Sequence, residues 1–118
     1  MVLMWEQVVI ETLDPHVLGR WWRDALDWVV VDDGDADVFE IRPAPEQIPG
    51  LLFVRSPAAK VSKNRLHLDF RPDDQAAEVE RLVALGAIRV AIGQGETVPW
   101  VVLSDPDGNE FCVLGSAD

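Results

Sequence analysis

The sequence predicts an α+β fold built from two βαβββ modules in tandem. Three observations carry that prediction. Period-two alternation and period-3.6 apolar stripes follow one another in the same order twice along the chain. Each stripe opens on an Asp/Pro helix-start signal, Asp14-Pro15 and Pro72-Asp73. The last strand follows a DPDGN turn at residues 105–109, where Pro106 pre-sets one dihedral and Gly108 allows positive φ. Identity between the halves is thin, so the order of elements carries the repeat. Ala25-Leu26-Asp27-Trp28 ends the first helix as Ala84-Leu85-Gly86-Ala87 ends the second.

The first half opens with a strand from about Trp5 to Thr12. Asp14 caps a helix with Pro15 at its first position; it runs through Leu26, with Val17, Leu18, Trp21, Trp22 and Ala25 as its apolar stripe. Strands follow at Trp28–Val31, Val38–Arg42 and Leu51–Arg55, separated by the Gly34 turn and by the proline-rich loop Pro43–Gly50. The second half begins with a strand over Arg65–Phe70. A helix opened by Pro72 and Asp73 reaches Leu85, with Ala76, Val79, Leu82 and Val83 inward and Gly86 as its C-terminal cap. Strands near Ile88–Ala91, Trp100–Leu103 and Glu110–Leu114 complete it. The stretch Pro57–Asn64, with Lys60 and Lys63, reads as a linker.

Composition narrows the function classes. At 118 residues and 48% hydrophobic, the chain is long enough to bury a sizeable core. It has no apolar run of the roughly 20 residues that a membrane span needs, and its start, MVLMWEQ, lacks a signal-peptide pattern. One cysteine cannot form an internal disulfide, which makes a reducing cytoplasm the expected compartment. A net charge of −11 argues against nucleic acid, whose phosphates need a basic face, and suits a neutral or cationic small ligand. Five Trp residues supply large flat surfaces for a pocket or an interface.

Alternation gives several strands one apolar and one mixed face. Leu66, Leu68 and Phe70 share one side and are expected under a helix; Arg65, His67 and Asp69 share the other. In the first strand, Trp5, Gln7, Val9 and Glu11 oppose Val8, Ile10 and Thr12. In the last, Glu110, Cys112 and Leu114 oppose Phe111 and Val113. One helix per module covers one sheet face. The mixed faces therefore line a ligand cavity or are solvated sheet surface.

This element order, with KNRLHLDF at residues 63–70 and DPDGNEFCVL at 105–114, resembles the glyoxalase/bleomycin-resistance/dioxygenase superfamily, also called vicinal oxygen chelate. It is most similar to the small single-domain glyoxalase-like proteins. The resemblance spans the chain, residues 1–118, with module one at about 4–56 and module two at about 64–115. It implies paired βαβββ modules that form a bowl-shaped mixed sheet. Metal-dependent members place one ligand on the first and one on the last strand of each module. Carried over, those positions are Gln7, the strand Leu51–Arg55, His67 and Cys112. The strand Leu51–Arg55 offers no Glu, Asp or His, and Cys112 stands where a Glu is expected. Glu110 does not rescue the set, because it lies one pleat nearer the turn. His and Cys alone fall short of the three protein ligands of catalytic zinc, so no full metal site is expected. A divalent ion (Ni, Zn, Mn or Fe) is the cofactor that a functional remnant would take.

His67 is the catalytic candidate, as a general base or a hydrogen-bond donor to a substrate oxygen, with Asp69 near enough to influence it. The ligand-binding candidates are Trp5, Gln7, Asp69, Trp100, Glu110 and Cys112. Trp5 and Trp100 either stack on a planar ligand or serve as core. Cys112 is either a nucleophile or a small buried hydrophobe. The resulting expectation is a cytoplasmic, glyoxalase-like homodimer that binds a small organic molecule in the concave sheet. The alternatives are a bleomycin-type antibiotic-binding resistance protein, for which acidity and Trp surfaces suit a cationic aromatic drug, and a metal-dependent lyase, isomerase or dioxygenase.

Overall fold

Two four-stranded sheets, each with one helix, repeat the same strand order in the computed structural model, which describes residues 2–62, 64–90 and 98–117. The chain divides into two units, Met1–Ala59 and Lys60–Asp118.

Unit one comprises β1 (Gln7–Thr12), α1 (Pro15–Leu26), β2 (Val29–Asp32), β3 (Val38–Arg42) and β4 (Gly50–Arg55). Its sheet order is β1-β4-β3-β2, with β1 parallel to β4 and the other pairs antiparallel. The helix begins where the sequence predicts. Asp14 is extended and its carboxylate accepts from the Val17 N–H, with Pro15 at the first turn. It ends where Asp27 turns left-handed at φ 56° and its N–H donates to Arg23 O. Leu18, Trp22 and Ala25, spaced for one helical face, are buried with Phe39, Ile41, Leu51 and Phe53 as α1 packs on β3 and β4. Each of the large side chains here contributes about 1.5–3 kcal/mol by leaving water. Val17, expected in the stripe, is 53% exposed: it lies a residue ahead of the Leu18–Trp22–Ala25 line. A Cβ at Gly19 would stand 2.1 Å from the Phe39 ring, so this helix position must be bare for α1 to reach the sheet.

Unit two comprises β5 (Leu68–Phe70), α2 (Gln75–Leu85), β6 (Ile88–Arg89), β7 (Val101–Ser104) and β8 (Glu110–Val113). The order β5-β8-β7-β6, with β5 parallel to β8, reproduces that of unit one. Three expectations are corrected here. β5 begins at Leu68 rather than Arg65, because Leu68 pairs with Phe111 and β8 itself starts only one residue earlier, at Glu110. Leu66 consequently lies outside the ladder and is 88% exposed instead of covered by a helix. α2 begins at Gln75, since Asp74, not Asp73, has the extended cap conformation and accepts from Ala77 N–H at 3.1 Å. Its inner face is Val79 and Leu82, while Ala76 and Val83 are exposed. Gly86 caps it at φ 117° as expected, donating to Leu82 O and Val83 O. The Ala91 end of the expected strand Ile88–Ala91 and Lys63 of the linker lie outside the described residues.

The DPDGN turn holds as the sequence predicts. Asp105 is 2% exposed. Its Oδ1 accepts from Asp107 N and Asn109 N, both at 2.9 Å, and Oδ2 accepts from Asn109 Nδ2 at 3.0 Å. Gly108 takes φ 86°. The strand it launches differs from expectation: alternation implies one open face, yet all four residues of β8 are buried. β8 is an interior strand between β5 and β7, and the segment before β5 folds back over its polar end, as described below.

Candidate functional site

The parallel pairing of β5 and β8 sets Asp69 directly opposite Cys112. Phe70 and Phe111, edge to face at 5.9 Å, and the Leu114 N–H to Phe70 O bond fix that register. His67 is two residues before Asp69, so alternation brings it to the same side. His67 Nε2 lies 3.1 Å from Asp69 Oδ1. One donor atom from each of His67, Asp69 and Cys112 lies within 4.8 Å of the other two. The His67 and Asp69 side chains are 49% and 48% exposed, whereas Cys112 is buried at 5%. An aqueous ligand therefore has direct access to the imidazole and the carboxylate, with a thiol behind them.

The 3.1 Å approach of Nε2 to Oδ1 is a close contact between the two side chains without hydrogen-bonding geometry. Such a pair can hold a ligand hydroxyl or take a proton from it.

Glu110 shares the Cys112 face by alternation but has a different partner. Its side chain is 9% exposed, and Lys60 Nζ lies 3.2 Å from Oε2 and 3.4 Å from Oε1. Only the contact to Oε1 has hydrogen-bonding geometry; Oε2 is compensated by charge alone. Lys60 also donates to Ser62 O, and Asn64 Nδ2 donates to Glu110 O at 3.4 Å. Burying a carboxylate without a partner costs several kcal/mol, so the ammonium is what permits its burial. In sequence Lys60 stands in the 57–64 linker as a cation suited to balance nearby Asp and Glu, and the structure gives it a specific partner, the buried Glu110. The available signal was a lysine ahead of β5 and a carboxylate on a strand whose neighbours are Phe111 and Val113.

The other predicted residues are distributed as follows. Trp100 is 37% exposed, just before β7. Trp5 is 64% exposed, and its Nε1–H donates to Gln7 O at 3.3 Å. Gln7 is half-buried at the start of β1; both belong to unit one. Unit one also has a groove of about 430 Å³ lined by Leu13, Asp37, Val54, Arg55, Ser56 and Pro57. The Arg55 guanidinium there is engaged by Asp37, Leu13 O and Ala36 O, which suits a structural cation.

The donor chemistry decides which metals these residues fit. β4 places Leu51 and Phe53 in the core and Leu52 and Val54 half-buried, so it offers no side-chain donor. With a thiol on β8, the residues do not supply the oxygen-rich set of a hard cation. Asp69 raises the count on unit two from the two donors read in sequence to three, of mixed N, O and S type.

Residues 7–114 match the family model described as glyoxalase-like domain. No curated protein matches the chain in sequence. Among solved structures it is similar to a glyoxalase/bleomycin resistance protein/dioxygenase family enzyme from Burkholderia phytofirmans PsJN, with TM-score 0.71 and 17% identity, covering 95% of this chain and 98% of that one. The fosfomycin resistance protein FosX from Mesorhizobium loti gives TM-score 0.70 and 14% identity, over 99% and 94% of the two chains. The trypanothione-dependent glyoxalase I of Leishmania major gives 0.71 and 15%, over 97% and 87%. These identities are low enough that the structural likenesses speak for the fold alone. The family match and the twice-repeated βαβββ topology agree: the chain belongs to the glyoxalase-like domain family, and so to the vicinal oxygen chelate superfamily.

Proposed function

We propose that the chain binds a small organic ligand at the sheet face that carries His67, Asp69 and Cys112, with His67 as the group that engages the ligand's oxygen. One observation carries this reading: a half-exposed His67–Asp69 pair, 3.1 Å apart, stands beside a buried thiol on one face of a sheet. The pair costs little to maintain at a wet surface, and it orients an imidazole toward solvent. Asp69 positions His67; Trp100, Glu110 and Cys112 shape the ligand's surroundings in this reading. The chain acts, on this view, as a glyoxalase-like binding protein without the family's oxygen-rich metal set, and as a homodimer. A second reading, sequestration of a cationic aromatic antibiotic, is favoured by the net charge of −11 and the exposed Trp5 and Trp100.

The test is calorimetric titration of chelator-treated protein with fosfomycin, with bleomycin and with a panel of small hydroxy- and oxo-acids. At least one compound should bind, and His67→Ala should weaken it by about tenfold, the worth of one lost hydrogen bond to a polar partner. Binding of no compound, or binding indifferent to His67→Ala, would overturn the proposal. Bleomycin as the sole binder, with an affinity that falls as salt rises, would select the second reading.

A further inference from the structure

We infer that Cys112, His67 and Asp69 form a nucleophilic centre that captures a small, uncharged α,β-unsaturated carbonyl compound on the sulfur of Cys112. The arrangement is a thiol, a base and a carboxylate on one face of unit two, the set of groups that activates a cysteine. One side-chain donor atom from each lies within 4.8 Å of the other two, and His67 Nε2 is 3.1 Å from Asp69 Oδ1. Strand pairing holds them there. Cys112 stands opposite Asp69 on β5 and opposite Val102 on β7, so the thiol has a carboxylate on one side and a buried apolar neighbour on the other. At 5% exposure Cys112 is sheltered, but the imidazole and carboxylate beside it are half in water and turn about χ1 without breaking a ladder bond. A narrow, planar reagent reaches the sulfur from that side. A thiol kept only for packing needs neither group beside it. The inference rests on the proposed function in needing this face to receive a small molecule; it adds the bond that forms there.

The step needs no other reactant. The Cys112 sulfur attacks the β-carbon of the unsaturated carbonyl, and the carbon–carbon π pair moves toward the α-carbon and the carbonyl oxygen. The thiol proton passes to a ring nitrogen of His67 as the bond forms. Asp69 stabilises the imidazolium so produced, which then delivers the proton to the α-carbon. One S–C and one C–H bond form, one S–H bond and one C=C π bond are lost, and nothing is oxidised or reduced by a second compound. The polarizable sulfur suits a soft carbon electrophile. Charge narrows the class further. The carboxylate of Asp69 beside the sulfur and the net charge of −11 disfavour the approach of an anion, so the captured compound is neutral.

The experiment treats the full chain with N-ethylmaleimide, and separately with a maleimide of similar size that carries a carboxylate. Intact-mass spectrometry follows the adduct, peptide mapping locates it, and N-acetylcysteine is the reference thiol. Expected is one adduct per chain at Cys112, the chain's one cysteine, formed at least as fast as on N-acetylcysteine. The carboxylated reagent should fall behind N-ethylmaleimide by a larger factor than it does on N-acetylcysteine. His67→Gln should slow N-ethylmaleimide by about a hundredfold, the low end of what a positioned base contributes. Asp69→Asn should slow it as well and narrow the gap between the two reagents. The direction of the His67→Gln effect is diagnostic, because removing an imidazole that merely covers the sulfur would speed the reaction. His67 is half-exposed, so this variant should keep the native thermal midpoint; if Asp69→Asn fails to fold, His67→Gln and the reagent ratio still decide. An adduct that forms only in urea, a rate unchanged or raised in His67→Gln, or an anionic reagent under no extra penalty would overturn the inference. Calorimetric binding retained by Cys112→Ser, with no adduct on the native chain, would overturn it and leave the proposed function standing. The expected adduct kinetics, with no compound of the calorimetric panel bound, would instead overturn only the proposed function.

Discussion

At the scale of single residues, this chain spends its buried charge sparingly. Glu110 and Asp105 are the buried carboxylates among the described residues, and each has specific compensation. Lys60→Ala leaves the Glu110 carboxylate stranded under its own sheet. The expected loss is about 2 kcal/mol, below the cost of stranding a wholly buried charge because Lys60 is partly solvated. Urea denaturation checks it, and Lys60→Ala with Glu110→Gln should recover part of the loss. Asp105→Ala removes three acceptor contacts from a buried position in the turn, for a loss of about 2–4 kcal/mol. A midpoint shift of less than a few tenths of a kcal/mol would show that solvent fills the place of the carboxylate. The imidazole differs from both: His67 is half in water, so its replacement should register in binding and hardly in stability.

At the scale of elements, the informative contrast is between what period and caps encode and what register encodes. α1 was legible to the residue, because Asp14, Pro15 and the Leu18–Trp22–Ala25 spacing are local signals. The β3 bounds, Val38–Arg42, were equally local. α2 was displaced by two residues because Asp73 and Asp74 are adjacent candidates for one cap, and only backbone geometry separates them. Leu66 was misplaced for a different reason. Its alternation with Leu68 is real, but a strand lasts only as long as its partner, and β8 starts at Glu110. The same register is why the site was only half legible. His67 and Asp69 on one face follow from spacing, whereas Asp69 opposite Cys112 is a pairing between strands more than forty positions apart in sequence. Helix-to-sheet contact gives a test at this scale. Gly19→Ala forces a methyl into the Phe39 ring and should cost about 1–3 kcal/mol by overpacking, read as a lower thermal midpoint. Asp74→Ala should cost about 1 kcal/mol as a lost cap.

At the scale of the whole molecule, the repeated order of β1-β4-β3-β2 and β5-β8-β7-β6 is the strongest architectural fact, and it was legible from element order despite thin identity between the halves. The two units are nevertheless chemically unequal. Unit one has an apolar β4 and the Arg55 clamp; unit two carries the imidazole, the carboxylate and the thiol. No helix among the described residues is long and apolar enough to cross a membrane. The net charge of −11 predicts that any cationic ligand binds more weakly as salt rises, while a neutral ligand held by His67 shows little salt dependence. Titration at two ionic strengths distinguishes the two. The central claim, that the face of unit two is where the molecule works, is tested most directly by a backbone-amide NMR map of labelled protein titrated with the tightest binder from the calorimetric panel. The largest shifts should fall on residues 67–69 and 110–113; shifts confined to residues 7–55, with those of His67 and Cys112 unmoved, would contradict it.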